Sequence, residues 1–166
     1  MWRFYFVLVI AFAGFPAQAE DRVEMDAAQV IPLTAPFPLA SEIALYAVSL
    51  AGTPYKFGGE NPITGFDCSG FIRHVFFEVT GLILPRSARA LSLAAKKIPS
   101  NELQAGDLVF YDTLKQAYSH VGIYLGNDQF IHAASTGRTT QISSMTDAYW
   151  TKRFNGAGRL LDAFSP

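Results

Sequence analysis

Asp67-Cys68-Ser69-Gly70 holds the one cysteine of a 166-residue chain. A single thiol has no internal disulfide partner, so its use must be sought in reactivity or in packing. Cys68 directly precedes Phe71-Ile72-Arg73-His74-Val75-Phe76-Phe77-Glu78-Val79, an apolar run that predicts a helix. It therefore stands near a helix N-terminus, where unpaired N–H groups carry partial positive charge and favour a thiolate. A lone cysteine is most often a small inert core residue. Here a long Gly- and Pro-rich loop, from Thr53 to Phe66, leads into it, and that context favours a nucleophile. His120 and His132 lie far downstream in strand-like sequence and are the candidates for the base that a thiol nucleophile needs. His74 does not share the thiol's helical face and reads as structural or surface.

Whether both histidines can serve one thiol depends on strand parity. His120-Val121-Gly122-Ile123-Tyr124-Leu125 and Gln129-Phe130-Ile131-His132-Ala133-Ala134 are joined by Gly126-Asn127-Asp128, a hairpin signal. A three-residue loop pairs Leu125 with Gln129 and sets Ala134 opposite His120, with His132 its diagonal neighbour on the same face. A two-residue turn at Asn127-Asp128 sends the rings to opposite faces unless a bulge restores the parity.

The elements that must position these groups can be read around them. Ser41 is a plausible N-cap for a first helix carrying Ile43, Ala47 and Leu50, with Gly52 as its stop. The helix after Cys68 presents Phe71, Val75 and Val79 on one stripe and ends at Gly81. A third helix covers Ser87 to Ala95. Asp107–Tyr111 reads as a strand, Asp147–Phe154 as a short helix and Gly158–Leu161 as a closing strand. Helices first and antiparallel strands afterwards make an α+β domain, expected over residues 40–164.

Residues 1–19 read as a cleavable leader: Arg3 in a short basic start, an apolar stretch from Phe4 to Phe15, and Ala17-Gln18-Ala19 as a cleavage site. The apolar stretch stops short of the roughly twenty residues a membrane span needs, and no stable membrane anchor is expected. Residues 20–39 form a linker rich in proline. Export to the periplasm or beyond follows. The net charge of −1, with no basic block, leaves no electrostatic footprint for nucleic acid. One cysteine and two distant histidines, without a close ligand pair, make a structural metal site unexpected, and no cofactor is called for. The sequence leaves the oligomeric state open.

Five segments together resemble the NlpC family of papain-like cysteine peptidases, which cut bacterial cell-wall peptides. They are Gly52–Gly59, Phe66–Phe71, Leu84–Ser87, Gly106–Phe110 and His120–Asn127, followed by Phe130–Ala133. Ile142–Met145 and Tyr149–Phe154 look most like the Gram-negative murein endopeptidases of that family. The resemblance implies a papain-like α+β domain with N-terminal helices packed on a mainly antiparallel β-sheet. It implies Cys68 as nucleophile, His120 as base and His132 as the group that orients His120. Tyr55 would line the site and join the Cys68 backbone N–H in stabilising an oxyanion. Asp67 and Ser69 match positions that in some members hold a free amine of the substrate, and Arg86 matches a recurrent motif position. The implied substrates are peptidoglycan stem peptides, cut at a bond between a D-residue and diaminopimelate. A peptidoglycan amidase toxin or a thiol acyltransferase would use the same residues, and a non-catalytic wall-binding module would keep only the fold. Replacing Cys68 by Ala is expected to abolish hydrolysis of purified muropeptides while leaving the circular dichroism spectrum and melting temperature intact. Wild-type turnover by the folded variant would rule out a cysteine nucleophile.

Overall fold

In a computed structural model, which describes residues 38–136 and 139–163, the chain begins with helix α1 (Leu39–Ser49). Ser41, the expected cap, lies inside its first turn. The Pro38 carbonyl accepts from Ser41 N at 2.7 Å and Glu42 N at 3.3 Å, so the proline starts the helix without a side-chain cap. Ile43, Ala44 and Ala47 bury one face. The expected leader, and the linker up to residue 37, lie outside the described residues.

The loop that follows does two jobs. Its first part adds to a sheet edge: Gly52 N donates to Thr140 O at 2.8 Å and Thr140 N to Thr53 O at 2.7 Å. Its second part folds into a two-stranded hairpin of β1 (Glu60–Asn61) and β2 (Gly65–Phe66). That hairpin delivers Asp67 as the N-cap of α2 (Cys68–Thr80), whose first turn begins with the cysteine. Phe71, Ile72, Val75 and Phe76 are fully buried, and Gly81 ends the helix in the left-handed conformation (φ +73°) that a residue with a Cβ adopts at a cost. Helix α3 (Ala88–Ala94) follows, capped by Ser87 Oγ accepting from Ala90 N.

The rest is a six-stranded sheet. Its strands are β3 (Lys96–Ile98), β4 (Leu108–Tyr111), β5 (His120–Gly126), β6 (Gln129–Ala134), β7 (Thr139–Ser144) and β8 (Phe154–Arg159), with a short α4 (Ala148–Thr151) before β8. The order is β3-β8-β4-β5-β6-β7 and every pairing is antiparallel. Strand β8 starts four residues before the expected closing strand and ends two before its expected end. Strands β3 and β7 were not legible beforehand. β3 has three residues with both lysines exposed, and β7 is polar throughout except for Ile142, which points out to solvent.

Alternation on the sheet sorts its side chains. Val121, Ile123, Ile131 and Ala133 join the α1–α2–α3 core, while Tyr111, Tyr124 and Phe130 build a second cluster on the other side with Trp150 and Phe154. Among the described residues no helix is long and apolar enough to cross a membrane.

The first turn of α2 lies against the loop so closely that only glycine fits. A Cβ on Gly70 would stand 2.0 Å from the Gly59 carbonyl oxygen, a backbone atom that cannot swing aside. Gly70→Ala is therefore expected to lower stability in urea unfolding by about 2 kcal/mol or more. A loss under about 0.5 kcal/mol, the range of ordinary surface substitutions, would show that the loop is not locked to the helix.

Candidate active site

Asp67 fixes the start of the cysteine's helix. Its carboxylate accepts five hydrogen bonds: from Gly58 N (3.0 Å), Ser69 Oγ (3.2 Å), Gly70 N (2.7 Å), Arg86 Nη1 (3.0 Å) and Arg86 Nη2 (2.6 Å). Arg86 Nη1 also donates to Ser69 Oγ at 2.8 Å, and its Nε pairs with Glu60, which Arg73 meets at 2.7 Å. Burial alone would raise the Asp67 pKa. The Arg86 hydrogen bonds and charge, with the two backbone donors, outweigh it and hold the carboxyl below its ordinary range. Asp67, Ser69 and Arg86 are thus brought together, with the acceptor positions of Asp67 filled from within the protein.

Cys68 is half-buried, and the backbone N–H groups of Ser69, Val121 and Cys68 itself are close enough to its sulfur to lower its pKa. Val121 is the peptide neighbour of His120, so the thiol meets the first residues of β5. Tyr55, bridged to Phe66, is also in this neighbourhood. Burial raises its phenol pKa, and the charges of Cys68 and Asp67 add to the shift.

The expected thiolate is not favoured in the resting protein. Burial, and after it the negative charge of Asp67, push the Cys68 thiol up to about 11, more than the backbone donors bring it down. The helix N-terminus does not prevail because burial, and after it the opposite charge of the carboxylate that caps the helix, work against the thiolate.

The hairpin took the two-residue turn. Asn127 and Asp128 (φ +50° and +55°) form it, and Gly126 pairs with Gln129. A bulge at Leu125 then shifts the register, so that Tyr124 pairs with Phe130 and Ile123 with Ile131. The same register sets Gly122 opposite His132 and Ala134 opposite His120. His120 and His132 therefore share a face, and their Nε2 and Nδ1 atoms lie 2.8 Å apart. Gly122 makes this possible: a Cβ there would stand 2.6 Å from the Phe130 ring and 3.2 Å from the His132 Cβ.

Both rings are buried, at 8% and 1% exposure. Burial pushes His120 down to about 4, and burial with the neighbouring His120 pushes His132 down to about 3. At neutral pH the pair is two uncharged imidazoles. His120 Nε2 is engaged by His132, so Nδ1 is the nitrogen left for the thiol.

Two neighbours were missed from sequence. Trp150 stacks on His120 (5.7 Å between centroids, 23°) and meets His132 edge-on at 4.9 Å. Ser143 Oγ lies 3.0 Å from His132 Nε2. The parity of β7 would have found Ser143, which pairs with Phe130 and is the diagonal neighbour of His132, had that polar strand been recognised. A cavity of about 440 Å³ opens beside these residues, walled by His120, His132, Gln141, Ser143, Tyr149, Trp150 and others. His74 stands apart, bonded to the Tyr46 hydroxyl at 3.2 Å and packed on Phe66. Among the described residues no group of three or more His, Cys, Asp or Glu side chains is placed to hold a metal ion.

A thiol at a helix start, against antiparallel strands carrying a histidine pair, is the arrangement of a papain-like α+β domain. The chain belongs to the NlpC/P60 family, whose model matches residues 52–159. It is 44% identical over 110 residues to the murein DD-endopeptidase MepS/murein LD-carboxypeptidase of Escherichia coli, covering 66% of this chain and 57% of that protein. It is 38% identical over 129 residues to the gamma-DL-glutamyl hydrolase of Bacillus subtilis, covering 77% of this chain and 30% of that protein. The chain thus spans less than two thirds of either relative. The crystal structure of the NlpC/p60 domain of the peptidoglycan hydrolase SagA superposes with a TM-score of 0.62 at 36% identity, over 72% of this chain and 97% of that one.

The Asp67 carboxyl makes a pH prediction. A carboxyl held below its unfolded value stabilises the fold above that value, about 4, and the contribution is lost as pH falls through the lower folded value. Asp67→Asn should flatten this part of the acid-unfolding curve. It should also cost about 2 kcal/mol at pH 7, less than the 3–5 of a fully buried pair because Arg86 is partly in solvent. An unchanged acid limb would show that Asp67 is not the group responsible.

Proposed function

We propose that the chain is a cysteine peptidase acting on peptidoglycan stem peptides, an endopeptidase that opens crosslinks at a bond between a D-residue and diaminopimelate. The observation that carries this reading is the Cys68 thiol against the start of β5, beside a 2.8 Å His120–His132 pair, in a chain of this family. The murein endopeptidase named among its relatives supports the substrate class. Residues 1–19 serve as a leader and those from 20 up to the start of α1 as a linker, and the enzyme works in the periplasm or outside the cell.

The chemistry starts from a neutral pair. His120 Nδ1 takes the Cys68 proton as the sulfur attacks an amide carbonyl, so the thiolate exists only along the reaction path. The Cys68 backbone N–H and the Tyr55 hydroxyl stabilise the oxyanion. The imidazolium that forms on His120 still donates through Nε2 to His132 Nδ1, which steadies its charge. His120 then protonates the leaving amine. Water, deprotonated by His120, hydrolyses the thioester and returns the thiol. Asp67, Ser69 and Arg86 act by holding the start of α2 and the loop that bears Tyr55.

His120→Ala is expected to lower kcat by about 10²–10⁴-fold, the range of a general base, and His132→Ala by less. A larger loss in a well-folded His132→Ala protein would reverse the two roles. The substrate is tested by digesting crosslinked dimer, uncrosslinked tetrapeptide and casein side by side, followed by mass spectrometry. The dimer should disappear first, with new monomer masses. Preference for the tetrapeptide would indicate a peptidase of released fragments, and preference for casein would overturn the wall reading. Transfer of the acyl group to an added amine in place of water would mark an acyltransferase.

A further inference from the structure

Two linked imidazoles can carry their protons in two ways, and only one leaves a base. If His132 donates from Nδ1 to His120 Nε2, then His120 carries its proton on Nδ1 and cannot accept one from the thiol. If His120 donates from Nε2 to His132 Nδ1, then His132 carries its proton on Nε2 and must place it somewhere. His132 is 1% exposed, and an unpaired buried donor is costly. The group at hand is Ser143 Oγ, 3.0 Å away. Gln141 lies directly across from His132 in the β6–β7 register, yet the hydrogen bond runs to the diagonal serine. Ser143 is half-buried and borders the 440 Å³ cavity, so its own proton can be given outward and its lone pair inward.

We propose that Ser143 is a positioning residue that, by accepting the His132 Nε2 proton, holds both imidazoles in the tautomers that leave the His120 Nδ1 lone pair toward Cys68. This rests on the reading of Cys68 and His120 as nucleophile and base. The other groups around the pair do not replace it. Cys68 comes from α2, and Tyr111 on β4 stands opposite His120. From α4, Trp150 covers both rings and Tyr149 packs on Trp150, with the Arg153 guanidinium 3.8 Å from the centre of the Tyr149 ring. The Asp67 carboxylate acts on the thiol but is paired with Arg86. Trp150 offers only a donor. The remaining groups make no hydrogen bond to His132 in this arrangement.

The test uses the chain's single cysteine as its own reporter, by measuring alkylation by iodoacetamide from pH 5 to 9 in Ser143→Ala, Ser143→Thr and Ser143→Asp proteins. Removing the acceptor should slow alkylation at pH 7 by about tenfold, the value of one hydrogen bond of about 1.4 kcal/mol. Threonine, which keeps the hydroxyl, should restore the rate to within about twofold. Aspartate, an acceptor only, should raise it above wild type and extend it to lower pH, because it favours the imidazolium that accompanies the thiolate. Any other order of rates among the folded variants overturns the proposal. If Ser143→Ala does not fold, the comparison of aspartate with threonine decides it alone. Alkylation in the expected order without muropeptide hydrolysis would remove the substrate reading and leave the positioning role of Ser143 standing.

Discussion

The site depends on one buried carboxylate. Asp67 caps the helix that begins with Cys68, anchors the Gly58 amide of the loop before it, and ties both to Arg86. Through Arg86 and Glu60 the same network reaches Arg73 in the middle of α2. The thiol and the loop that carries Tyr55 therefore share one electrostatic anchor. Gly70 lets the helix approach the loop closely enough for that anchor to form, and Gly59 lets the loop fold back on its own Gly65 carbonyl.

The same carboxylate works against ionisation of the Cys68 thiol. A helix N-terminus would lower a thiol's pKa, but burial raises it more, and the capping anion works in the same direction as burial. The result is a protonated thiol beside a pair of imidazoles that burial also keeps uncharged. Such a pair has no standing charge to lose to solvent. On the proposed reading, the thiol proton leaves only as the sulfur attacks an electrophile, and the tautomer of His120 decides whether that ring can accept it.

How much of this was legible in the sequence follows from the physics of each element. Helix α2 and its ends were readable because an apolar 3.6 pattern runs between Asp67 and Gly81, two residues with strong terminal preferences. The hairpin was readable as two alternatives, and the outcome was the short turn with its bulge, a device that composition does not announce. Strand β7 was missed because a polar edge strand carries no apolar alternation, and Ser143 was missed with it. Trp150 was missed as a site residue because it arrives from α4, at no fixed spacing from either histidine. The raised thiol pKa was missed because it depends on burial and on a third residue's charge, neither of which periodicity reveals. Pro38, not Ser41, starts α1 because a backbone carbonyl can do what a side-chain cap does.

The most direct test of the account is the protonation of the histidine rings themselves, observed by nitrogen-15 NMR at pH 7 on protein labelled in its three histidines. The account requires His120 and His132 each to carry one proton, on Nε2, with both Nδ1 atoms bare. A proton on His120 Nδ1, whether from the opposite tautomer or from a standing thiolate–imidazolium pair, would contradict it.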